Sequence, residues 1–408
     1  MVVNTLADTY LRNKRVVIRA DLNVPLDGTT ITNDLRIRAS LPTIEFALNK
    51  GARVLVVSHL GRPEPGATNR DLSLQPVADR LRDLLKRPVD LIQTRDHDVD
   101  INPGEIKLLE NIRFEAGETK NDPDLARSLA SRCDVYINDA FGTAHRAHAS
   151  THGIADYAKE SCAGLLLASE IEALERAVAN PTRPLVAVLG GAKVSGKLEV
   201  LHNLKDIADT LLVGGGMANT FLLASGHDVG DSLVENDLVD NAQAIREATD
   251  LPLPVDVMTA ESISEQSHAF LRLIESVPSV ESIVDIGPET ARRYSKIIAN
   301  AGTVIWNGPM GIFEYPQFAE GTRGIADAIA ETSAFTLAGG GDTVAAIEQF
   351  DITDRIDYIS TGGGAFLEFI EGKSLPGIEV LKQKPVTPQK RLICPLKQLR
   401  PSNFSREH

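Results

Sequence analysis

The segment from Gly191 to Leu198 combines glycines and lysines in a pattern suited to binding phosphate. Its sequence is GAKVSGKL, so Gly191 is followed after four residues by Gly196 and Lys197. This pattern matches the phosphate-binding loop G-x-x-x-x-G-K-[ST] at every position but the last, where the Ser or Thr hydroxyl of that loop holds Mg²⁺. Leu198 occupies the hydroxyl position, and a leucine cannot ligate a metal. The segment is therefore a degenerate loop of this type, a chance match, or a different means of holding a nucleotide.

Four more glycine-rich segments follow apolar runs in the second half of the chain. They read VGGGM, WNGPMG, AGGGDT and STGGGA. Such loops let backbone N–H groups and helix N-termini approach a phosphate or the face of a base. Lys193 and Lys197 offer positive charge for phosphate, Asp342 a hard carboxylate for Mg²⁺, and Glu314 an acceptor for ribose hydroxyls. The second half therefore predicts a Mg-nucleotide site.

The first half carries polar and cationic side chains where the second half has glycine. Those that follow predicted strands are Asp21, Asn23, His59, Arg62, Arg113, His145 and Arg146, and Arg36 opens the first predicted helix. Ligands of open α/β sheets bind beyond the carboxyl ends of the strands, and arginine suits bidentate contact with carboxylate or phosphate. Any one of these arginines alone would more readily be an ordinary surface residue. Their repetition after successive strands predicts a pocket for a small polyanion.

Three histidines in this half also match the spacing of a helical metal site. They are His145, His148 and His152. No cysteine or paired carboxylate stands near them in sequence, and Arg146 lies among them. A cation beside an arginine is unfavourable, so the anion pocket is preferred over a metal site.

Short apolar, β-branched runs alternate with segments of helical period along the whole chain, which is typical of parallel sheets with crossover helices. The predicted strands of the first half are RVVIRA, ARVLVVSH, IKLLEN and CDVYINDA. Those of the second half are PLVAVLGG, TLLVGGG, LPVDVMTA, SIVDIG, TVIWNGP, AFTLAGG and IDYISTGG. Two of the predicted helices are DLRIRASLPTIEFALNK and GTRGIADAIAE. The fold class is therefore α/β, with two doubly wound, parallel-sheet domains of Rossmann-like type joined by a hinge helix.

A chain of 408 residues is too long for one ordinary core. The segment LASEIEALERAVANPTRP, residues 167–184, reads as a helix that ends at Asn180-Pro181. We expect an N-terminal domain over 1–168, a hinge helix and linker over 169–184, a second domain over 185–375, and a C-terminal segment over 376–408 that packs back on the first domain. From about Lys382 this last segment is basic and rich in proline, and no function is assigned to that tail.

Composition limits the possible partners and location. The 42 Lys and Arg against 56 Asp and Glu give a net charge of −14, which disfavours nucleic-acid binding. No apolar run approaches the roughly 18 residues that span a bilayer, and the first residues, MVVNTLADTY, do not resemble a signal peptide. The three cysteines, Cys133, Cys162 and Cys394, indicate reduced thiols. We expect a cytoplasmic monomer with small-molecule substrates.

An anion pocket in one half and a Mg-nucleotide site in the other predict a two-domain phosphotransferase. Phosphoryl transfer needs positioning, charge neutralisation and exclusion of water, so the two halves should close on each other. A nicotinamide dehydrogenase shares the fold type, but no G-x-G-x-x-G follows a strand here with an acidic residue in register. A non-catalytic nucleotide-binding scaffold would be expected to lack Arg36, Lys193 or Asp342, and all three are present.

Longer motifs make the chain resemble the phosphoglycerate kinases over nearly its whole length apart from the terminal extension. These motifs are RVVIRADLNVP, INDAFGTAHRAHAS, LGGAKVSGK, WNGPMGIFE, GGGDT and STGGGAFLEFIEGKSLPG. The resemblance implies reversible, direct in-line phosphoryl transfer from 1,3-bisphosphoglycerate to Mg-ADP, which yields 3-phosphoglycerate and Mg-ATP after domain closure. In that family LGGAKVSGK is a phosphate loop in its own right, and the metal ligand comes from GGGDT.

The resemblance also implies a role for each matching residue. The glycerate would be held by Asp21, Asn23, Arg36, His59, Arg62, Arg113, His145 and Arg146. The nucleotide would be bound by Gly191, Lys193, Lys197, Gly214, Gly215, Gly216, Asn307, Glu314, Gly340, Gly341, Asp342 and Thr343, with Asp342 on Mg²⁺. Arg36 and Lys193 would face the migrating phosphoryl group from opposite domains. One departure is Gly196, at a position where many relatives carry Asp. The absence of that carboxylate bears on how Lys197 is oriented.

Overall fold

The computed structural model describes residues 3–64, 70–93 and 100–382. In this part of the chain the strands are β1 (Arg15–Arg19), β2 (Leu26–Asp27), β3 (Thr30–Ile31), β4 (Arg53–Val57), β5 (Val89–Ile92), β6 (Ile106–Leu109), β7 (Val135–Asn138), β8 (Glu160–Ala163), β9 (Leu185–Leu189), β10 (Thr210–Val213), β11 (Asp256–Ala260), β12 (Phe270–Leu273), β13 (Ser282–Ile286), β14 (Thr303–Asn307), β15 (Phe335–Ala338) and β16 (Tyr358–Ile359). All eleven strands predicted from the sequence are among them. The strands that the sequence analysis missed are β2, β3, β5, β8 and β12.

Helices separate most of these strands. They are α1 (Leu35–Asn49), α2 (Gln75–Leu85), α3 (Pro123–Ser131), α4 (Ile154–Tyr157), α5 (Leu165–Leu174), α6 (Leu198–Ile207), α7 (Gly215–Ala224), α8 (Val239–Ala248), α9 (Pro288–Ala299), α10 (Glu320–Glu331), α11 (Gly341–Gln349), α12 (Gly363–Ile370) and α13 (Pro376–Lys382). The two helical segments singled out in the sequence correspond to α1 and α10. The alternation of strand and helix is the α/β pattern that the sequence predicted.

The first sheet contains six parallel strands in the order β5-β6-β4-β1-β7-β8. Its central strand, β1, is buried from Val16 to Arg19, because helices cover both faces of the sheet. Val16 and Ile18 face one hydrophobic cluster, and Val17 faces another. The four strands followed by the predicted anion-binding residues, β6, β4, β1 and β7, lie side by side in this order.

The second sheet contains five parallel strands in the order β10-β9-β14-β15-β16. Each of the five ends in one of the glycine-rich segments. The loops lie against one another closely: a Cβ atom on Gly190 would stand 1.8 Å from the carbonyl oxygen of Pro309. Glycine is required there by the close approach of two backbones.

Two strands assigned by the sequence to the second parallel sheet belong elsewhere. LPVDVMTA and SIVDIG form β11 and β13 of a separate three-stranded sheet, in which β11 is central and pairs antiparallel with both β12 and β13. The two parallel sheets of the predicted fold class are confirmed, and this antiparallel sheet is an addition that the sequence analysis did not predict. A short apolar run does not encode strand direction, and the edge strand β12 is largely exposed, so it carried no clear pattern.

The connection between the two parallel sheets is helical, as predicted. Helix α5 continues into a π-helical turn over Glu175–Ala179, and the helix ends at Asn180. After the second sheet the chain returns to the first, where α13 lies against α4 and β8. There the Gly377 N–H donates to the Ala144 carbonyl (2.9 Å), and the Asn138 amide donates to the Gly377 carbonyl (3.0 Å). The exact domain limits stay a prediction.

The cysteines in the described ranges are buried in the first half of the chain. Cys133 and Cys162 are buried free thiols, and burial raises the pKa of each to about 12. Cys394 and the basic tail lie outside the described residues. Within the described ranges, no helix is both long and apolar enough to cross a bilayer.

Two glycines of the same loop should respond in opposite ways to alanine. Gly190→Ala forces a methyl group against the Pro309 carbonyl and should lower the free energy of unfolding by about 1–3 kcal/mol or more. Gly196 has open space around its Cβ position and no left-handed φ, so Gly196→Ala should raise it by about 0.4–1 kcal/mol. Chemical denaturation measures both. Equal effects would show that close backbone contact is not what requires glycine at position 190.

Candidate active site

A cavity of about 230 Å³ opens at the carboxyl ends of β6, β4, β1 and β7. Its lining consists of Asp21, Asn23, Arg36, His59, Gly61, Arg62, Arg113, Gly142, Thr143, His145 and Arg146. All eight residues predicted to bind a small anion are in this set. The structure therefore brings together side chains that are spread over more than a hundred residues of sequence.

A larger open depression of about 740 Å³ lies elsewhere, between the β3–α1 turn and α2. None of the predicted site residues lines it. Its most enclosed charge, Asp34, is already bonded to the guanidinium groups of Arg38 (2.9 Å) and Arg80 (2.7 Å). These contacts satisfy the carboxylate, so the smaller cationic cavity is the better candidate for chemistry.

One wall of the cavity is built by the loop after β1. The Arg36 guanidinium lies 3.3 Å from the Asp21 carboxylate and donates to the Asn23 carbonyl at 3.0 Å. The Asn23 side-chain oxygen accepts the Gly61 N–H at 2.8 Å. Helix α1 thus presents Arg36 to the cavity in an orientation that Asp21 and the neighbouring backbone fix.

Beneath the cavity lies a residue that the sequence analysis missed. Arg19 is the last residue of β1, and its side chain is almost completely buried. Its guanidinium donates to Ser150 Oγ (2.8 Å) and lies 3.3 Å from His59 Nδ1. An arginine inside an otherwise apolar strand was the available signal, because burying an unpaired charge is costly.

The partner of this buried charge is Glu118. Its carboxylate accepts the Ser150 N–H (2.9 Å) and hydroxyl (2.6 Å), and Ser150 in turn accepts from Arg19. Burial raises the pKa of Glu118, and the positive charge of Arg19 opposes that rise. His148 Nδ1 lies 3.8 Å from the same carboxylate. Glu118 therefore balances charge beneath the cavity without lining it.

The histidines beside these arginines are held in the neutral form. Burial, followed by the charges of Arg19 and Arg113, lowers the pKa of His59 well below its usual value. The same causes in the same order lower the pKa of His148 to about 4. A neutral imidazole adds hydrogen-bonding capacity to the cavity without further repulsion between cations.

The outer rim of the cavity is more exposed. Arg113 donates to the Gly61 carbonyl, and its burial, together with the charges of Arg19 and Arg146, lowers its pKa to about 10. Arg62 and Arg146 are exposed, and Arg146 donates to His145 Nε2 at 3.1 Å. Cationic groups therefore surround a volume that accommodates a small polyanion.

The three histidines considered for a metal site do not share one. His145 contacts Arg146, His148 faces Glu118, and His152 Nδ1 lies 3.6 Å from Asp156. In the part of the chain that the structure describes, no group of three or more His, Cys, Asp or Glu side chains is placed to hold a metal ion. The geometry favours the anion pocket.

In the second sheet, several predicted nucleotide ligands bind the glycine loops themselves. Lys197 Nζ donates to the carbonyls of Gly190 and Asn307, the latter at 2.7 Å. Burial lowers the pKa of Lys197 to about 8, against the opposing effect of Asp342. The Thr343 hydroxyl accepts the Gly308 N–H at 2.7 Å. These contacts fix the relative positions of the loops that follow β9, β14 and β15.

Asn307 has capacity left for a ligand. Its side-chain amide donates to the Gly339 carbonyl at 2.7 Å, but its buried Oδ1 atom has no hydrogen-bond partner among the described residues. A buried acceptor without a donor is unfavourable. Gly340, beside it, adopts a φ of +98° and would place a Cβ 2.6 Å from the Asn307 amide. The strand end thus remains open to a polar group of a ligand.

The loops after β9 and β10 lie in direct contact. A Cβ atom on Gly215 would stand 2.8 Å from the Gly191 carbonyl oxygen, and one on Gly216 would stand 2.4 Å from that of Ala192. The Gly191 carbonyl accepts the Met217 N–H at 3.0 Å. Gly214 packs in the same way against Met310. The predicted adenine wall and the predicted phosphate loop therefore form one continuous backbone surface.

Four other predicted nucleotide ligands have exposed side chains or backbone. They are Lys193, Glu314, Gly341 and Asp342. Asp342 lies in the first turn of α11, where its carboxylate offers hard oxygen ligands. Leu198 is instead the first residue of α6 and packs, half-buried, against the hydrophobic core. The residues present therefore fit a Mg²⁺ ligand at Asp342 and do not fit one at Leu198.

The two halves of the site meet at the loop after β16. A Cβ atom on Gly362 would stand 2.2 Å from the Phe141 ring, and one on Gly364 would stand 3.4 Å from His145 Nε2. The Thr361 N–H and hydroxyl both donate to the buried Glu170 carboxylate of α5 at 2.8 Å. The last glycine loop of the second sheet is thus packed directly against the cationic cavity.

The sequence model of a protein family described as phosphoglycerate kinase matches residues 6–373. The chain belongs to the phosphoglycerate kinase family. Members of this family are kinases, transferases of glycolysis, so membership decides against a nicotinamide dehydrogenase. The matched range includes every residue that the sequence analysis placed in the site.

Solved structures of phosphoglycerate kinases agree. The chain is 50% identical to phosphoglycerate kinase from Coxiella burnetii, with a TM-score of 0.91, over 94% of this chain and 99% of that one. It is 35% identical to phosphoglycerate kinase from Pyrococcus horikoshii OT3, with a TM-score of 0.78, over 93% and 98% of the two chains. The phosphoglycerate kinase fold therefore extends over nearly all of the described residues.

The neutral His148 should make stability depend on pH in a particular direction. The unfolded chain takes up this proton near the usual pKa of 6.5 and the folded protein only near 4. The unfolded state therefore binds more protons between these values, and the free energy of unfolding should fall as pH falls from about 6.5 to about 4. His148→Gln should make that fall smaller, as measured by denaturation across this range. An identical slope in both proteins would contradict a depressed pKa at His148.

Proposed function

We propose that this kinase transfers a phosphoryl group reversibly between 1,3-bisphosphoglycerate and Mg-ADP, giving 3-phosphoglycerate and Mg-ATP. The observation that carries the proposal is the convergence of Arg36, Arg62, Arg113 and Arg146 on one cavity of about 230 Å³. A three-carbon acid with a phosphate at one end matches this volume and offers two anionic groups to bidentate donors. The family match and the two solved structures support kinase activity. The name of the family supports glycerate phosphates as the substrate class.

The proposed division of labour places the glycerate in the first half. Arg62, Arg113 and Arg146 would bind its phosphate and carboxylate charges. Asp21 would accept a hydrogen bond from its hydroxyl group, and the Asn23 amide N–H would donate one to it. Neutral His59 would act as a hydrogen-bonding partner. Arg36, already oriented by Asp21, would extend toward the group in transfer.

The nucleotide would lie over the glycine loops of the second sheet. Gly214, Gly215 and Gly216 would form the wall for the adenine ring, since their lack of side chains leaves a flat backbone surface. Glu314, exposed beyond β14, would accept from the ribose hydroxyls. Lys197, Asn307 and Thr343 would meet phosphate oxygens by exchanging some of their present contacts with the loops.

Mg²⁺ enters with the nucleotide as part of the substrate, where it neutralises phosphate charge. Asp342 would be its protein ligand. Lys193 would approach the migrating phosphoryl group from the nucleotide side and Arg36 from the glycerate side, so that charge in the transition state is balanced from both. In-line transfer of this kind requires no covalent intermediate with the protein.

Closure of the two halves would exclude water from the transfer and bring Lys193 and Arg36 to the same phosphoryl group. Each ligand supplies part of the interaction that favours the closed state, so closure should be greatest with both bound. We expect this protein to act as a monomer in the cytoplasm.

The proposal is tested by coupling consumption of ATP and 3-phosphoglycerate to nicotinamide oxidation through a purified dehydrogenase that reduces the acyl phosphate product. We expect signal that requires the kinase, both substrates and Mg²⁺. A non-catalytic scaffold would bind ATP in calorimetry and give no signal, and that result would refute the proposed function.

Substitutions in the two halves should separate binding from rate. Lys193→Ala should lower kcat by the equivalent of about 2–4 kcal/mol while leaving Mg-ADP affinity within a few-fold, because its contact is made mainly in the transition state. Arg62→Ala should weaken 3-phosphoglycerate binding and leave Mg-ADP affinity unchanged. Steady-state kinetics and calorimetry with each ligand measure these effects.

Either of two results would count against this division. Near-normal turnover in Lys193→Ala would remove that lysine from the transfer step. Equal loss of affinity for both ligands in Arg62→Ala would mean that the cavity does not bind the glycerate separately.

The metal ligand is tested by a matched pair of variants. Asp342→Asn should keep the fold, since this side chain is exposed, and should raise the Mg²⁺ concentration required for activity, since an amide is a poor ligand for a hard dication. Leu198→Ser should cost about 1–2 kcal/mol of stability through lost burial and leave the Mg²⁺ requirement unchanged. Activity titrated against free Mg²⁺ measures both. If Leu198→Ser lowered the Mg²⁺ concentration required for activity and Asp342→Asn left it unchanged, Asp342 would not be the metal ligand.

A further inference from the structure

Glu235 makes contacts that the proposed mechanism does not use. It lies in the connection between α7 and α8, forty residues after the loop that carries Lys193 and Lys197. Its carboxylate accepts the Ser195 N–H at 2.9 Å and the Ser195 hydroxyl at 2.5 Å. Ser195 stands midway between the two lysines. A carboxylate from a segment distant in sequence is therefore hydrogen-bonded to the centre of the phosphate loop.

The connection that carries Glu235 is itself anchored to α7. The Glu235 N–H donates to the Thr220 hydroxyl at 3.2 Å, and the Asn219 amide donates to the Leu233 carbonyl at 3.2 Å. Thr220 and Asn219 are buried, so these anchors belong to the packed part of the helix. Helix α7 begins at Gly215, in the predicted adenine wall. Glu235 thus links the phosphate loop to the helix that supports the adenine wall.

The turn at the centre of the phosphate loop is not capped by a side chain of the loop itself. A 3₁₀ turn over Ser195–Lys197 leads into α6, and neither element receives a hydrogen bond from the side chain at its N-cap. The first N–H groups of a helical turn need partners from outside it. Gly196 contributes no side chain, and its Cβ position faces open space. A glycine within the turn also permits conformations in which Lys193 and Lys197 are displaced.

The charges around Glu235 are arranged to keep it ionised. Burial alone would raise its pKa, but the hydrogen bonds from Ser195, one from the Val194 N–H and the positive charge of Lys193 together outweigh that effect and lower the pKa. The carboxylate therefore stands near enough to Lys193 for the two charges to interact. Lys193 itself is exposed and extends from the loop without burial to orient it.

We propose that Glu235 is a positioning residue for phosphoryl transfer: by binding Ser195 it fixes the turn between Lys193 and Lys197 and so places both amines for the transferring phosphate. The inference rests on the proposed function. It adds a residue that touches neither substrate and that connects two nucleotide-binding loops through α7.

The experiment compares Glu235→Ala, Glu235→Gln, Ser195→Ala and the Glu235→Ala/Ser195→Ala double variant, with the exposed Glu275→Ala as the matched control. We expect Glu235→Ala to lower kcat about ten-fold and to raise KM for Mg-ATP, with KM for 3-phosphoglycerate unchanged. Glu235→Gln retains an acceptor oxygen and should recover part of the loss. The double variant should be no worse than Glu235→Ala, because both changes break the same contact. The control should match the wild type.

Several results would overturn the proposal. One is an active wild type whose Glu235→Ala variant keeps kcat and both KM values within about two-fold, even if its melting temperature falls, since the contact would then serve stability alone. Another is additive losses from Glu235→Ala and Ser195→Ala, which would mean that the two residues act independently. KM for 3-phosphoglycerate rising as much as KM for Mg-ATP would indicate a general disturbance instead of a local one.

Failure of the proposed function is distinguishable from failure of this inference. If the wild type shows no turnover with 3-phosphoglycerate, the proposed function is refuted, and calorimetry with Mg-ADP then tests the loop directly. Weaker Mg-ADP binding in Glu235→Ala than in Glu275→Ala would still support a positioning role. Equal affinity in both would overturn it.

Discussion

Repulsion between like charges is the constraint on which the site depends. An acidic protein with a net charge of −14 places four guanidinium groups in the lining of one small cavity, those of Arg36, Arg62, Arg113 and Arg146, and buries a fifth, that of Arg19, against His59 of the same lining. Such a cluster would oppose folding unless compensated. The fold supplies Glu118 below the cavity and Asp21 in its wall, and it keeps His59 neutral by burial. Arg62 and Arg146 are exposed at the rim of the cavity, and under the proposed function their positive charge would attract the polyanionic substrate.

The two parallel sheets present different chemical groups at their candidate binding sites. The first presents charge on long side chains, whose positions depend on hydrogen bonds such as those between Arg36 and the loop after β1. The second presents backbone, and its loops approach so closely that Gly190, Gly215 and Gly216 admit no Cβ atom without displacement. Side chains can adapt to a small flexible acid, whereas a rigid backbone surface suits a planar base and a fixed phosphate chain.

Much of this arrangement was predictable, because most residues that line the cavity follow apolar runs at the carboxyl ends of strands. In a parallel sheet all these ends lie at one edge, so the side chains that follow them come together there. Periodicity supplied the two parallel sheets, and the longer motifs supplied the family. Arg19 and Glu118 were missed because one lies inside a strand and its partner is about a hundred residues away. The antiparallel β11–β13 pairing was missed because strand direction depends on tertiary contacts. Glu235 was missed for the same reason, since only the folded chain brings it to Ser195.

The chain passes between the two parallel sheets twice, through α5 and again between α12 and α13. The second crossing is held against the first sheet by the contacts of Gly377 with Ala144 and Asn138. The relative movement of the two sheets that the proposed closure requires would therefore have to be accommodated by two connections and not by one.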